Sequence, residues 1–191
     1  TNGVTRYATN QNFDNNESSI KSTTGWDRDD YLNIWVAPTV DALGYAYVPS
    51  TSSLPNATVD GVVIVTTTFG GPNTGSTAPY DLGRTTTHEV GHYLGLDHIW
   101  GGGCNQDDGI ADTPQQASDN GGCPNHPSPS CNNGGDMFMN YMDYVNDNCM
   151  NAFSAGQNTY MRAILNSSRS SLLTSANTKC NLIITPPTCP D

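Results

Sequence analysis

The stretch TTTHEVGHYLGLDHIWGGG at residues 85–103 contains three of the four histidines of the chain. His88 and His92 are four residues apart, so on a helix they lie on one face, one turn from each other. Both imidazoles can then reach one zinc ion at about 2.0–2.1 Å. A chain reversal at Gly95, where no Cβ opposes a left-handed turn, brings His98 back as a third ligand. Three protein ligands leave a fourth position open, which is typical of catalytic zinc sites.

Glu89 is the group that can accept and transfer a proton at such a site. It follows the first histidine, so its carboxylate points beside the metal, where it can accept a proton from an attacking water. A bare HExxH pattern often arises by chance, but here the extended HExxHxxGxxH pattern is complete. We therefore favour a metal site over the alternative of ordinary surface or core histidines.

Composition indicates one extracellular globular domain. The 191 residues suit a single well-packed domain, and no apolar run approaches a membrane span. A net charge of -11 repels phosphate backbones and anionic lipid, so nucleic acid and membranes are excluded as expected partners. Six cysteines without a CxxC pair predict disulfides and secretion rather than a thiolate metal site. The chain starts with Thr and carries no signal peptide, so we expect a mature or trimmed form.

The elements that must position the histidines follow from local patterns. Runs at 31–38, 44–49 and 60–69 predict strands among residues 1–80, and the continuous VVIV predicts a strand buried on both faces. Residues 81–95 predict a helix with Asp81 as its N-cap and Gly95 as its end. The SAGQ capping box at Ser154 predicts a final helix. This order indicates an α+β fold with a twisted, mostly parallel sheet.

Residues 101–149 are rich in Gly, Asn, Asp and Pro and contain four cysteines. A segment of this length does not remain without fixed structure inside a compact domain. We therefore expect disulfides or a bound ion to hold it. After residue 174 the chain becomes Pro-rich. We predict a catalytic domain over residues 1–175 and a tail or linker over 176–191.

The motifs resemble those of the metzincin zinc endopeptidases. HEVGHYLGLDH is similar to their signature, and MNYMDYVNDNCM looks like their Met-turn, with Met142 beneath the metal. YLNIWVAP, DGVVIV, ADTP, FMNYMDY and DNCMNAFSAGQ resemble blocks of the pappalysin family, especially its bacterial and archaeal members, over residues 25–165. Astacins and serralysins are the alternatives. Astacins usually place Glu where Ile99 stands, and serralysins lack a comparable disulfide framework.

The resemblance implies a role for each matching residue. His88, His92 and His98 would bind zinc, and Glu89 would act as general base and then general acid. Tyr144 would steady the oxyanion, the alternative being a buried core tyrosine. Asp147 would form the floor of a pocket for Arg or Lys, the alternatives being a solvated loop carboxylate or a calcium ligand.

The resemblance also implies structural ions and bonds in the irregular segment. DDGIADTP is similar to the calcium loop of the family, which assigns the following ligands: Asp107, Asp108, Ala111 and Thr113. Asp112 either binds the ion or caps a turn. The family spacing implies Cys104–Cys131 and Cys123–Cys149, and elimination leaves Cys180–Cys189. No segment resembles a propeptide with a metal-blocking cysteine, so we expect a released catalytic domain.

The sequence thus predicts a secreted, monomeric zinc endopeptidase that hydrolyses proteins or peptides on the amino side of Arg or Lys. Substrate would pair with an edge strand of the sheet. Two alternatives stay open. One is an extracellular zinc-containing protein-binding module without catalysis, and the other is a metzincin of astacin or serralysin type with another specificity.

Overall fold

The computed structural model describes residues 3–38 and 42–174. No helix in these ranges is long and apolar enough to cross a membrane. The elements form an α+β domain, which confirms the predicted class. In chain order they are α1 (Phe13–Thr24), β1 (Ile34–Ala37), β2 (Gly44–Ala46), β3 (Val62–Val65), α2 (Arg84–Tyr93), β4 (Gly121–Gly122), β5 (Tyr144–Val145), a 3-10 turn (Asp147–Cys149), α3 (Ala155–Asn166) and α4 (Ser170–Thr174).

The main sheet has β3 at its centre. β3 pairs in parallel with β1, Ile34 lying opposite Val62, and antiparallel with β2, Gly44 lying opposite Ile64. The described sheet is therefore mixed, with one parallel and one antiparallel pair. β4 and β5 form a separate parallel ladder of two residues each. Within the described ranges β2 is an edge strand, so its outer side is open to another extended chain.

Helices cover both faces of β3. Val63 belongs to one apolar cluster with Phe13 and Ile20 of α1. Val62 and Ile64 belong to another, with Tyr93 at the end of α2. All three valine and isoleucine side chains are fully buried, which confirms that VVIV is a strand covered on both sides.

Two features of the first half differ from the sequence-based expectation. α1 was not predicted, because its residues are mostly polar and carry little helical periodicity. Tertiary contacts stabilise it: Lys21 is buried, pairs with Glu17 at 2.7 Å, and lies 4.6 Å above the Trp35 ring. The prediction that Asp81 is the N-cap of the active-site helix is wrong. α2 begins at Arg84, after a left-handed Gly83 that provides no side-chain cap.

Disulfides and buried polar groups hold the irregular segment. Cys104–Cys131 and Cys123–Cys149 are both formed, the two pairs that the family resemblance implies. Cys180, Cys189 and the tail over 176–191 lie outside the described residues. Inside the segment, the buried Asp143 carboxylate accepts bonds from three groups. They are the backbone N–H of Asn120 at 2.7 Å, the backbone N–H of Tyr144 at 2.8 Å and the Gln116 side chain at 2.8 Å.

The C-terminal helices are tied back to the sheet and to α2. The SAGQ capping box is present, with the Ser154 and Gln157 side chains bonding to each other's backbone N–H. Beyond α3, the buried Arg169 binds both carboxylate oxygens of Asp60 at 2.7 and 2.9 Å, and its Nε donates to Tyr93 O at 2.8 Å. This contact fixes the end of α2 relative to the strand that it covers.

Candidate metal centre

α2 and the turn after it bring three imidazoles to one point. The Nε2 atoms of His88 and His92 are 3.1 Å apart, and His98 Nε2 lies 3.2 Å and 3.1 Å from them. Among the described residues these three form the only metal-sized cluster of His, Cys, Asp and Glu side chains. The reversal occurs at Gly95, whose φ is +91° and whose Cβ, if present, would meet Ile164 Cγ1 at 2.7 Å.

Two backbone carbonyls set the tautomers of the histidines. His88 Nδ1 lies 2.6 Å from Tyr141 O, and His92 Nδ1 lies 2.7 Å from Leu96 O. A carbonyl can only accept, so both Nδ1 atoms carry the proton and both Nε2 atoms present lone pairs. Two lone pairs at 3.1 Å cannot hydrogen-bond to each other. A cation bound by all three nitrogens satisfies them, so the residues fit a metal ion.

Burial keeps these imidazoles neutral. It lowers the pKa of His88 to about 3, with the neighbouring His92 and His98 adding to the effect. Burial followed by the charge of His92 lowers the pKa of His98 to about 3 as well. The pKa of His92 is also lowered, chiefly by burial. Neutral imidazole is the form that binds a metal.

Glu89 is a buried carboxylate with an unsatisfied oxygen. It is 5% exposed, and its Oε2 has no hydrogen-bond partner among the described residues. Burial raises its pKa to about 8, which makes it a strong base once a nearby cation favours its charged form. Gly44 of β2 leaves room for it, because a Cβ there would come within 2.9 Å of Glu89 Cγ. No pattern in the sequence indicates that role of Gly44.

Met142 packs against α2, the helix that carries His88 and His92. It is fully buried, and its sulfur occupies the space that a side chain at Gly91 of α2 would need. Its backbone N–H donates to Asn140 Oδ1 at 2.8 Å, and Asn140 bonds in turn to Gln157 of α3 at 2.7 Å. α3 therefore supports the turn that carries the Tyr141 carbonyl.

Tyr144 lies beside the three histidines. Its ring centroid is 4.9 Å from that of His98 and 5.5 Å from that of His88. The side chain is 46% exposed, so the alternative of a buried core tyrosine does not apply. Burial, followed by the charge of Glu89, raises its pKa, so the phenol keeps its proton and can donate it in a hydrogen bond.

Asp147 lines a cavity of about 290 Å³ next to the centre, together with His88, Glu89 and Tyr144. At 2% exposure it is not a solvated loop residue. Its Oδ2 accepts the backbone N–H of Leu82 at 2.8 Å and of Arg84 at 3.1 Å. Asp147 thus caps α2 from a distant part of the chain, in the role that the sequence analysis assigned to Asp81.

The suspected calcium loop brings only some of its predicted ligands together. Asp108 Oδ1 accepts from the Thr113 hydroxyl at 2.7 Å and from the Ile110 backbone at 3.1 Å. Asp108 Oδ2 is buried without a partner among the described residues. Asp107 bonds to the Gly109 backbone at 3.0 Å, and Ala111 is exposed. No described group of three or more acidic side chains converges here.

Asp112, for which the sequence left two roles open, caps α3. Its carboxylate accepts from the Ser154 hydroxyl at 2.7 Å and from the Gly156 backbone at 2.8 Å. These bonds lower its pKa, the Ser154 bond contributing most. Like Asp147, it serves a helix that starts far from it in the sequence.

Trp100 is the main residue of the site that the sequence analysis missed. Its indole stacks on His98, with ring centroids 4.2 Å apart and planes inclined by 8°. An aromatic residue two positions after the third histidine was the only available signal.

Comparisons with known proteins agree with this geometry. Residues 14–166 match the family model Peptidase_M43, described as pregnancy-associated plasma protein-A. "Extracellular metalloprotease 1" of Coccidioides posadasii is 48% identical over 128 residues, covering 64% of this chain and 45% of that protein. "Extracellular metalloprotease" of Sordaria macrospora is 40% identical over 172 residues, covering 86% and 59%. The chain therefore spans about half the length of these curated relatives.

Two solved structures are also similar to this chain in fold and in sequence. The structure titled Tannerella forsythia mature mirolysin in complex with a cleaved peptide is similar, with a TM-score of 0.82 and 44% identity. The match covers 90% of this chain and 69% of that one. The promirolysin mutant E225A of the same organism matches with a TM-score of 0.85 and 43% identity, covering 93% and 62%.

The cap supplied by Asp147 generates a stability prediction. Asp147→Ala leaves the N–H of Arg84 at the start of α2 and the N–H of Leu82 just before it without an acceptor, and it should lower the free energy of unfolding by about 1–3 kcal/mol. Asp147→Asn keeps an oxygen acceptor, and because a neutral acceptor bonds roughly half as strongly it should lose about half as much. Denaturant unfolding with intact disulfides measures both.

Asp119→Ala, which removes an exposed aspartate from the same irregular segment, is the matched control and should unfold like the unmodified chain. Equal stability of Asp147→Ala and the unmodified chain would show that the cap contributes nothing.

Proposed function

The chain belongs to the Peptidase_M43 family, and from that premise we propose that it is a secreted zinc endopeptidase that cleaves on the amino side of Arg or Lys. One observation carries the hydrolase part of the proposal. Three imidazole Nε2 atoms converge beside a buried carboxylate, one oxygen of which has no hydrogen-bond partner among the described residues. A purely structural metal site has no need of that carboxylate, which argues against a binding module without catalysis.

Zinc is the metal that this donor set fits best. Three neutral imidazoles and an open side toward Glu89 and Tyr144 are typical of catalytic zinc. When bound, zinc supplies Lewis-acid chemistry, polarising the scissile carbonyl and making water more acidic. His88, His92 and His98 would hold it, with the carbonyls of Tyr141 and Leu96 orienting the first two rings.

The protein groups divide the proton transfers between them. Glu89 takes a proton from the attacking water and then delivers it to the leaving amine. Its buried position makes the carboxylate a better base than an exposed one. Tyr144 keeps its proton and donates a hydrogen bond to the oxyanion of the tetrahedral intermediate. The Tyr144 side chain is partly exposed and lines the same cavity as Glu89.

An extended peptide can reach these groups along β2. This edge strand passes Glu89 at Gly44, where the missing side chain allows close approach. Backbone hydrogen bonds to the open side of β2 would fix the peptide direction without reading its sequence. Specificity must then come from the side-chain pocket beside the scissile bond.

The cavity that Asp147 lines supports the proposal of a basic side chain in that pocket. Leu43, Val145 and Met150 give it apolar walls that suit the methylene stem of Arg or Lys. One oxygen of Asp147 is used by the helix cap, while no polar group of the described residues bonds to Oδ1. Oδ1 is therefore the acceptor that a guanidinium or ammonium group would meet.

Secretion and substrate class follow from the same family assignment. The relatives are named extracellular metalloproteases, and two disulfides in the chain require an oxidising compartment to persist. Proteins and peptides are the proposed substrates.

Calcium at the 107–113 loop is a further part of the proposal. Asp108 Oδ2 is buried without a partner among the described residues and is a hard oxygen ligand of the kind calcium prefers. Calcium binding there should raise the midpoint of thermal unfolding, and Asp108→Asn should weaken the effect. A midpoint that does not respond to calcium would contradict this site.

A cleavage map tests the catalytic proposal and the specificity together. A denatured, reduced protein substrate is digested and the cuts are located by mass spectrometry. We expect cuts mainly before Arg and Lys, and none after zinc is chelated. Asp147→Asn should lower the ratio of these cuts to all others by about tenfold, the equivalent of 1.4 kcal/mol. That ratio does not depend on how much enzyme is folded.

Glu89→Gln is the control variant, since it preserves size but cannot take the proton. It should bind zinc and lose about a thousandfold in rate. Chelator-sensitive cuts with another preference would refute the Asp147 pocket alone. Absence of cuts from the zinc-loaded, disulfide-bonded chain would refute the endopeptidase.

A further inference from the structure

The three histidines are not held in the same way. Carbonyl oxygens fix the rings of His88 and His92 through their Nδ1 atoms. No group of the described residues bonds to Nδ1 of His98, which is also the least buried of the three. An imidazole without a partner on its far nitrogen can rotate, and rotation moves its lone pair off the metal.

Trp100 provides the missing restraint. We propose that it is a positioning residue, which orients the third metal ligand by stacking on its ring. The two planes are 8° from parallel and 4.2 Å apart at their centroids. The stack blocks rotation of the imidazole through one entire face, so it does for His98 what a carbonyl does for each of the other two histidines.

The backbone builds this stack into a tight turn. Gly101 N donates to His98 O at 2.9 Å, which closes a turn with the two rings at its first and third positions. Gly101 has a φ of +49°, and a Cβ there would lie 2.5 Å from the Asp107 carbonyl carbon. Between the rings, the buried Ile99 donates its N–H to Met142 O at 3.3 Å. The indole is thus fixed from both ends of the turn.

The same indole also contacts Tyr144. The Tyr144 ring meets Trp100 at 4.8 Å and His98 at 4.9 Å, edge-on in both cases. Trp100 therefore limits the positions open to the phenol as well as to the imidazole. Its effect on the oxyanion rests on the proposed function, whereas its effect on metal binding does not.

The test compares two variants of Trp100, one that keeps an aromatic ring and one that keeps only an apolar side chain. Trp100→Phe keeps a stacking face, while Trp100→Leu keeps apolar contact with the core but no ring. The zinc dissociation constant is measured by competition with a chelator, and the visible spectrum is recorded after Co²⁺ substitution. We expect Trp100→Leu to weaken zinc binding about tenfold or more and to alter the Co²⁺ bands. Trp100→Phe should stay within about threefold of the unmodified chain.

Trp26→Leu is the matched control. Trp26 is also half-buried and also makes an edge-on ring contact, with Tyr31 at 4.8 Å. Its described ring contact is with Tyr31 and not with a histidine, so its loss should leave zinc affinity unchanged. Unchanged affinity and Co²⁺ bands in Trp100→Leu would overturn the proposal, as would equal losses in the Leu and Phe variants. Failure of the proposed function would appear differently, as normal zinc binding without cleavage by the unmodified chain.

Discussion

Three imidazole Nε2 atoms within 3.2 Å of one another are the constraint on which the rest of the structure depends. The Nε2 lone pairs of His88 and His92 repel each other unless a cation or a donated proton lies between them, and burial opposes protonation of either ring. Rigid groups hold the rings: α2 carries two of them, a left-handed Gly95 returns the third, and Met142 packs against α2 at Gly91.

Aspartates of the irregular segment provide much of that rigidity. Asp147 caps α2 and Asp112 caps α3, each from a position far along the chain. Asp143 gathers backbone and side-chain donors next to Tyr144. Part of the large acidic surplus is thus used as hydrogen-bond acceptors for backbone N–H groups. With the Cys123–Cys149 bond two residues beyond Asp147, these contacts replace the regular elements that the segment lacks.

Local sequence patterns predict part of the fold and part of the candidate site. HExxHxxGxxH placed the histidines, the continuous VVIV identified the central strand, and SAGQ located the start of α3, because each depends on spacing within one element. α1 escaped prediction because its stability comes from Lys21 contacts with Trp35 and Glu17 rather than from periodicity. The cap of α2 also escaped, since Asp147 lies 63 residues from Arg84. The direction of β2 and the stacking of Trp100 likewise depend on geometry that spacing does not encode.

The central claim is that His88, His92 and His98 bind one zinc ion, and X-ray absorption at the zinc edge of the purified chain tests it most directly. The account predicts one zinc per chain, with three imidazole nitrogens at about 2.0–2.1 Å and no sulfur ligand. His92→Ala should abolish that signal without breaking either described disulfide. Zinc coordinated by sulfur at about 2.3 Å, or no stoichiometric zinc after loading, would contradict the account.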